Sequence, residues 1–412
     1  MSKKLFSVIE GGGITSPSGF KASGVHAGFR KNPERKDLAL IVCEEGAQTV
    51  GMFTQNKFCA APVYFDKKQL GRTGCDMINA VAINSGNANA ATGEQGLEAA
   101  HKSAEIVANA LGIGERRVLL ASTGVIGVPL PLEPFHNGIP MAVHKLSEDG
   151  GNDAAKAIMT TDTVEKEIAI NIECNVHAWG SFRIGGMVKG SGMIQPNMAT
   201  MIAVITTDLP LSVAAQSESL KRAVDKSFNC VTVDSDTSTN DTVLFMTSGH
   251  KMRWLDIEDD GFENFCQCLD FVCIELAKMI AADGEGATKT VQISVEGAKT
   301  DDEARCAARE VANSPLVKTA IAGHDANWGR VAAALGKSSA EFDQRDVDID
   351  FIGMPVLRSG LPTGFDEDEA LRRFKQKQID IDIKIGDGEG KAVVWTCDLT
   401  HDYISINADY RS

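Results

Sequence analysis

Apolar positions along the chain recur with two periods, and the periods alternate. Residues 78–84 (INAVAIN) form a short apolar run that reads as a strand and enters a polar loop, SGNANAATGEQG. A helix is predicted next, with Leu97, Ala100, Ala104, Val107 and Leu111 on one face, Thr92 and Gln95 spaced as a capping box, and Gly112 where a left-handed stop belongs. Residues 118–121 (VLLA), 201–207, 243–247, 291–296, 378–386 (IDIDIKIGD) and 391–396 read as further strands, and 213–228, 262–281 and 366–377 as helices. The late strands alternate apolar with polar, so one of their faces is expected to be wet. Asp366, Glu367, Asp368 and Glu369 open the 366–377 segment and Arg372, Arg373, Lys375 and Lys377 follow, as a helix dipole favours. The mixture predicts a layered α/β or α+β fold. A polar stretch near 330–345, ending in KSSAEFDQRD, is the expected domain boundary.

Composition narrows the function classes. The 412 residues carry 41 Lys+Arg against 56 Asp+Glu, a net charge of −15, which disfavours a grip on nucleic acid. No apolar run reaches the roughly 18 residues that span a bilayer. The start, MSKKLFSVIEGGG, lacks the apolar core of a secretory signal, so a cytoplasmic location is expected. Ten cysteines are too sparse for a disulfide scaffold; Cys266, Cys268 and Cys273 fall within an apolar-periodic helix and are expected to be buried thiols.

Four segments could carry chemistry. In 185–208, GGMVKGSGMIQPNMATMIAVITTD, a glycine-rich approach leads to Thr200 at the mouth of a buried strand. There its hydroxyl could attack the Ala199 carbonyl, and the α-amine freed by hydrolysis could serve as base for the same hydroxyl. A threonine opening a strand also follows from β-propensity, and the residues leave both readings open. Thr123 and Gly124, at the end of a strand, could offer a hydroxyl and an N–H to an oxyanion, or form a plain turn. Residues 157–163 (AIMTTDT) make a hydroxyl-rich strip, and Asp283-Gly284-Glu285-Gly286 an acidic loop closing the 262–281 helix. The DSDTSTND run at 234–241 lacks the glycine and glutamate of a calcium loop, although Asp234 could be a phosphotransferase nucleophile. No phosphate loop, dinucleotide fingerprint or histidine pair appears, so neither a metal nor a nucleotide cofactor is expected.

Taken together, GVHAGFRKNPERKDLALI (24–41), NSGNANAATGEQG (84–96), ASTGVIG (121–127), IMTTDT (158–163), KGSGMIQPNMATMIAVITTD (189–208), TVDSDTSTNDT (232–242), DGEGATK (283–289), NSPLVKTAIAGHDANWGR (313–330) and the Asn407–Ser412 tail resemble the ornithine acetyltransferase (glutamate N-acetyltransferase) family. The resemblance runs over essentially the whole chain and departs at Ala91, where a cysteine is expected. It implies a four-layer αββα sandwich resembling the N-terminal nucleophile hydrolases, with a smaller C-terminal lobe. It also implies self-cleavage between Ala199 and Thr200 into an alpha chain (1–199) and a beta chain (200–412), assembled as an α2β2 heterotetramer or larger. Thr200 would be the nucleophile, Thr123 and Gly124 the oxyanion donors, and Thr161, Lys189, Thr200, Glu285, Asn407 and Ser412 the substrate contacts. The implied reaction moves acetyl from N2-acetylornithine to glutamate through acetyl-Thr200, in arginine biosynthesis and without a cofactor. Acetyl-CoA as a further donor stays open, as does a related amidase or a transferase with another acceptor. The resemblance retires the phosphotransferase reading of Asp234.

Overall fold

A computed structural model describes residues 5–71, 77–173, 180–195, 201–249 and 254–409. The first lobe runs through β1 (Phe6–Ile9), β2 (Phe20–Val25), β3 (Leu38–Phe53), α1 (Ala61–Leu70), β4 (Met77–Asn87), α2 (Gly93–Leu111), β5 (Val118–Val125), α3 (Glu133–His144) and α4 (Gly151–Ile158). It continues through β6 (Lys166–Ile172), β7 (Phe182–Lys189), β8 (Ile202–Thr207), α5 (Val213–Lys226), β9 (Thr242–Thr247) and α6 (Phe262–Ala282). Among the described residues its strands form one sheet in the order β1-β6-β7-β8-β9-β3-β4-β5, with β2 also on β3.

The long strand β3 turns this single sheet into two layers. Residues 38–42 pair with β4 and β2, whereas 48–53 pair with β9. Between them the register against β4 slips from Val42 to Ala47, and Gly46 takes φ +87°, so the strand bends there as bulged strands do. The two half-sheets then face each other across a shared core. Ile41, Ile83 and Leu119 come from one side, Met187, Val204 and Leu244 from the other, and Ala154, Ala157 and Ile158 from α4. Helices α1 to α3 cover the outer face of the first half, over Leu38, Leu40, Ala80 and Val118. Helices α5 and α6 cover the outer face of the second, over Ile184, Val188, Ala203, Ile205 and Phe245. The layers are therefore α, β, β, α, as the resemblance implies. Strand β8 is buried throughout, with Ile202 and Val204 in the middle core and Ala203 and Ile205 in the outer one. That double burial explains its unbroken apolar run.

The second lobe contains β10 (Thr290–Ala298), α7 (Asp301–Ala312), α8 (Pro315–Ala322), α9 (Trp328–Gly336), β11 (Asp348–Phe351), β12 (Met354–Arg358), β13 (Leu361–Pro362), α10 (Glu367–Arg373), β14 (Gln378–Lys384) and β15 (Gly390–Cys397). Helix α11 (His401–Asp409) follows. The sheet order is β13-β12-β11-β14-β10-β15. Its inner face, with Val291, Ile293, Ile349, Ile379 and Ile381, packs on α7, α9 and α10, and the alternating polar positions face away, as their period predicts.

Three expectations need correction. The lobe boundary lies between α6 and β10, not near 330–345: the polar stretch there only links α9 to β11 inside the second lobe. At α2, Thr92 is the N-cap residue but makes no capping bond, because its hydroxyl donates to the Asn89 side-chain oxygen at 2.9 Å; Leu97 is exposed. Helix α10 stops at Arg373 instead of reaching 377, since Phe374 turns fully into the second core. The cysteines of α6 are buried as expected, and burial pushes the Cys266 thiol up to about 11.

Candidate active site

Stretches from along the whole chain converge on one cavity of about 240 Å³. Thr123 and Gly124 come from the end of β5, Thr160 and Thr161 from the loop after α4, and Lys189 from the end of β7. Glu285 comes from the loop after α6, and Asn407 from α11. Ala199, Thr200 and Ser412 lie outside the described residues; Met201, bonded to Thr200, is part of the cavity wall. Six of the residues singled out from the sequence thus meet in one place, although up to 284 positions separate them along the chain.

The wall at Thr123–Gly124 is built by close backbone approach. Gly124 has φ +134° and lies beside Gly86 of β4, where an added Cβ would sit 2.3 Å from the Gly86 carbonyl carbon. Only glycine fits both the dihedral and the gap. Ser122 donates to the Asn84 side chain at 2.6 Å, and Asn240 donates to the carbonyls of Ala88 and Ser122 at 2.6 and 2.8 Å. Strand ends from distant parts of the chain are thereby fixed around the two oxyanion candidates.

Below the opposite wall lies a buried ion network. Lys166 Nζ donates to Asp162 at 2.8 Å and to Asp283 at 2.5 Å, and all three side chains are out of solvent. Asp162 also accepts the N–H of Gly190 at 2.7 Å and that of Thr160 at 2.8 Å, while Asp283 accepts the Thr163 N–H and hydroxyl. Ser191 donates to the Asp283 carbonyl at 2.7 Å. The network thus ties the 160–163 loop, the end of β7 and the 283–285 loop together. Burial alone would raise the Asp162 carboxyl; the cations Lys189 and Lys166 outweigh it and hold the group well below the usual carboxylate range. Burial brings the Lys189 ammonium below the ordinary lysine range, with Asp162 opposing that shift.

Glu285 sits against the backbone at Gly192, where an added Cβ would meet its carboxylate at 2.3 Å. Asn407 Nδ2 donates to Glu285 Oε2 at 2.7 Å, which fixes helix α11 against the cavity. Asp234, for which the residues alone left a phosphotransferase role open, accepts the N–H groups of Met193 and Ile194 at 2.7 and 2.8 Å and the Tyr403 hydroxyl at 3.3 Å. Asp162, Asp283 and Asn240 fall in segments that the sequence marked, but without the structural role they take here, and Lys166 and Tyr403 were not singled out. One signal was present: Lys166 stands at an inward-facing position of the strand Lys166–Ile172.

Two outcomes follow from the network. Lys166→Met leaves two buried carboxylates without their shared cation and should destabilise the fold by about 3–5 kcal/mol, read from denaturant unfolding. Asp162 holds its proton more weakly folded than unfolded, so the unfolded chain takes up protons first as pH falls. Its contribution is whole above about pH 4 and is lost below. The thermal midpoint should drop more steeply there in the wild type than in Asp162→Asn.

Comparison with known proteins bears on this geometry. The chain matches the ArgJ family model over residues 21–412. A relative from Symbiobacterium thermophilum, named arginine biosynthesis bifunctional protein ArgJ, is 46% identical over 403 residues, covering 97% of this chain and 99% of its own. A chloroplastic relative of the same name from Sorghum bicolor is 44% identical, over 97% of this chain and 87% of its own. Among solved structures, ArgJ from Bacillus halodurans is 42% identical over 50% of this chain and 97% of that one, with a TM-score of 0.48. Ornithine acetyltransferase from Mycobacterium tuberculosis, solved with ornithine, is 38% identical over 47% of this chain and 100% of that one, with a TM-score of 0.43. With a family match over nearly its whole length and relatives 44–46% identical along 97% of it, the chain belongs to the ArgJ family.

Proposed function

We propose that the protein is a self-processing acetyltransferase of arginine biosynthesis that moves acetyl from N2-acetylornithine to glutamate through Thr200. The observation that carries this reading is the convergence of Thr123, Gly124, Thr161, Lys189, Glu285 and Asn407 on one cavity whose wall includes Met201. Family membership supports it, since the relatives are named as bifunctional enzymes of that pathway.

The chain is first cut between Ala199 and Thr200, which gives Thr200 a free α-amine. That amine takes the proton of its own hydroxyl as the oxygen attacks the acetyl carbonyl of acetylornithine. The Gly124 N–H and the Thr123 hydroxyl stabilise the oxyanion. Collapse breaks the amide C–N bond, and the leaving amine of ornithine takes up the proton. Glutamate's amine then attacks the acetyl ester, giving N-acetylglutamate and restoring the hydroxyl. An amide is exchanged for an amide, so no cofactor is required. Buried Lys189 lies near Glu285, and this pair of opposite charges suits a ligand that carries both a carboxylate and an ammonium. Glu285 serves the ammonium and Lys189 the carboxylate, while Thr161, Asn407 and Ser412 supply neutral contacts. Acetyl-CoA acts as a second donor that makes the enzyme bifunctional, which an assay of glutamate with acetyl-CoA alone would test.

The two pieces stay together without a disulfide, because β8 at the head of the second piece pairs along its length with β7 of the first. The family resemblance points to their assembly as an α2β2 heterotetramer or larger.

Intact-mass spectrometry after mixing with acetylornithine alone should show one acetyl group on the piece beginning at Thr200. Thr200→Ala should give one uncut 44.0 kDa chain without activity. An active preparation that is a single full-length band, or one that turns over without an acetyl adduct, overturns the scheme. Deleting residues 407–412 removes the Asn407–Glu285 bond and should raise the KM for acetylornithine at least ~10-fold while cleavage persists. Unchanged kinetics would assign the tail no part in binding.

A further inference from the structure

Residues 193–195 are the last described before the proposed cut, and the structure grips them along their length. Asp234 accepts the N–H groups of Met193 and Ile194, one on each carboxylate oxygen. The Ile194 carbonyl accepts the Val233 N–H at 2.7 Å, and the Gln195 carbonyl accepts the Thr237 hydroxyl at 2.9 Å. The Gln195 side-chain oxygen accepts from the Asn313 amide and the Thr232 hydroxyl. Met193 takes φ +55°, in the left-handed region where a residue with a Cβ seldom rests. Downstream, buried Met201 gives its carbonyl to the Thr242 N–H at 3.0 Å. Both ends of the five intervening residues are therefore fastened to the stretch 231–242.

We infer that Asp234 is a positioning residue for self-cleavage, seconded by Asn313: it holds the strained bend at Met193 and so sets the approach of the Ala199–Thr200 bond to the cavity. This rests on the self-cleavage reading above. In that step the Thr200 oxygen bonds to the Ala199 carbonyl carbon, the C–N bond breaks, and the hydroxyl proton passes to the departing nitrogen. One water then hydrolyses the ester, leaving a carboxylate on Ala199 and the hydroxyl and amine on Thr200. Asp234 touches none of these atoms. It acts through the backbone of residues 193 and 194, whose geometry a left-handed glycine could hold without help.

The test follows the conversion of freshly synthesised precursor to two bands in cell-free translation. Asp234→Ala should slow cleavage at least ~30-fold, and Asp234→Asn, which keeps one acceptor oxygen, ~5-fold. Asn313→Ala should slow it ~3-fold or more. Adding Met193→Gly to Asp234→Ala should restore at least ~5-fold, because glycine adopts the left-handed bend freely. Thermal unfolding of each variant in a Thr200→Ala background, where nothing is cut, reports folding separately. Should Asp234→Ala fail to fold there, the Asp234→Asn and Asn313→Ala rates decide. Variants that fold and cleave at the wild-type rate, or a slowing that Met193→Gly does not relieve, overturn the inference. An uncut wild type instead overturns the self-cleavage reading itself.

Discussion

The site depends on charges being buried together. Asp162, Lys166, Asp283 and Lys189 are held out of water in one place, and isolated burial of any one of them would cost several kcal/mol. The arrangement is tolerable only because each carboxylate meets a cation and spends its remaining lone pairs on backbone N–H groups or hydroxyls. That requirement cannot be met from one stretch of chain. Asp162 needs the Gly190 N–H, Asp283 needs Thr163, and Lys166 needs both acids. The loop after α4, the end of β7 and the loop after α6 are therefore obliged to meet, and these are the segments that bring Thr161, Lys189 and Glu285 to the cavity.

The bent sheet makes the meeting possible. If β3 ran straight, β4 and β5 would extend the plane of β7, β8 and β9, and Gly124 would lie far from Lys189. The slipped register around Gly46 folds one half-sheet over the other, and the core between them sets their separation. The cavity then opens where strand ends and loops from both halves come together. The same fold places β8 between β7 and β9, so a cut just before it would leave the new terminus anchored by a buried strand.

The second lobe contributes at longer range. Its last helix, α11, returns to the first lobe and lays Tyr403 and Asn407, one turn apart, on the carboxylates of Asp234 and Glu285. Gly286 permits this approach, since a Cβ there would stand 2.5 Å from the Tyr403 nitrogen. Asn313 reaches from the end of α7 to Gln195, and Trp395 and Cys397 of β15 enter the core shared with α6. Helix α11 is thus held in place by carboxylates of the first lobe that need partners.

Much of the architecture was legible in local pattern. The strands read at 78–84, 201–207 and 243–247 follow from short unbroken apolar runs, the one read at 378–386 from an apolar period of two, and the helices read at 213–228 and 262–281 from a period of 3.6, because burial selects side chains one residue at a time. Residue type marked Thr123, Gly124 and the strips around Thr161 and Glu285, whereas Lys189 and Asn407 were assigned a role only through the family resemblance. The bend in β3 was hidden, because Glu44, Glu45 and Gly46 look like the end of a strand and only the pairing with β9 shows that it continues. The failed cap at Thr92 was decided by a competing acceptor on Asn89, and the early end of α10 by a place for Phe374 in a core assembled from distant strands. The ion network was illegible for the same reason. A lysine in a strand and an aspartate in a loop carry no mark of each other, and their pairing exists only once the chain has brought residues 162, 166 and 283 within hydrogen-bond reach.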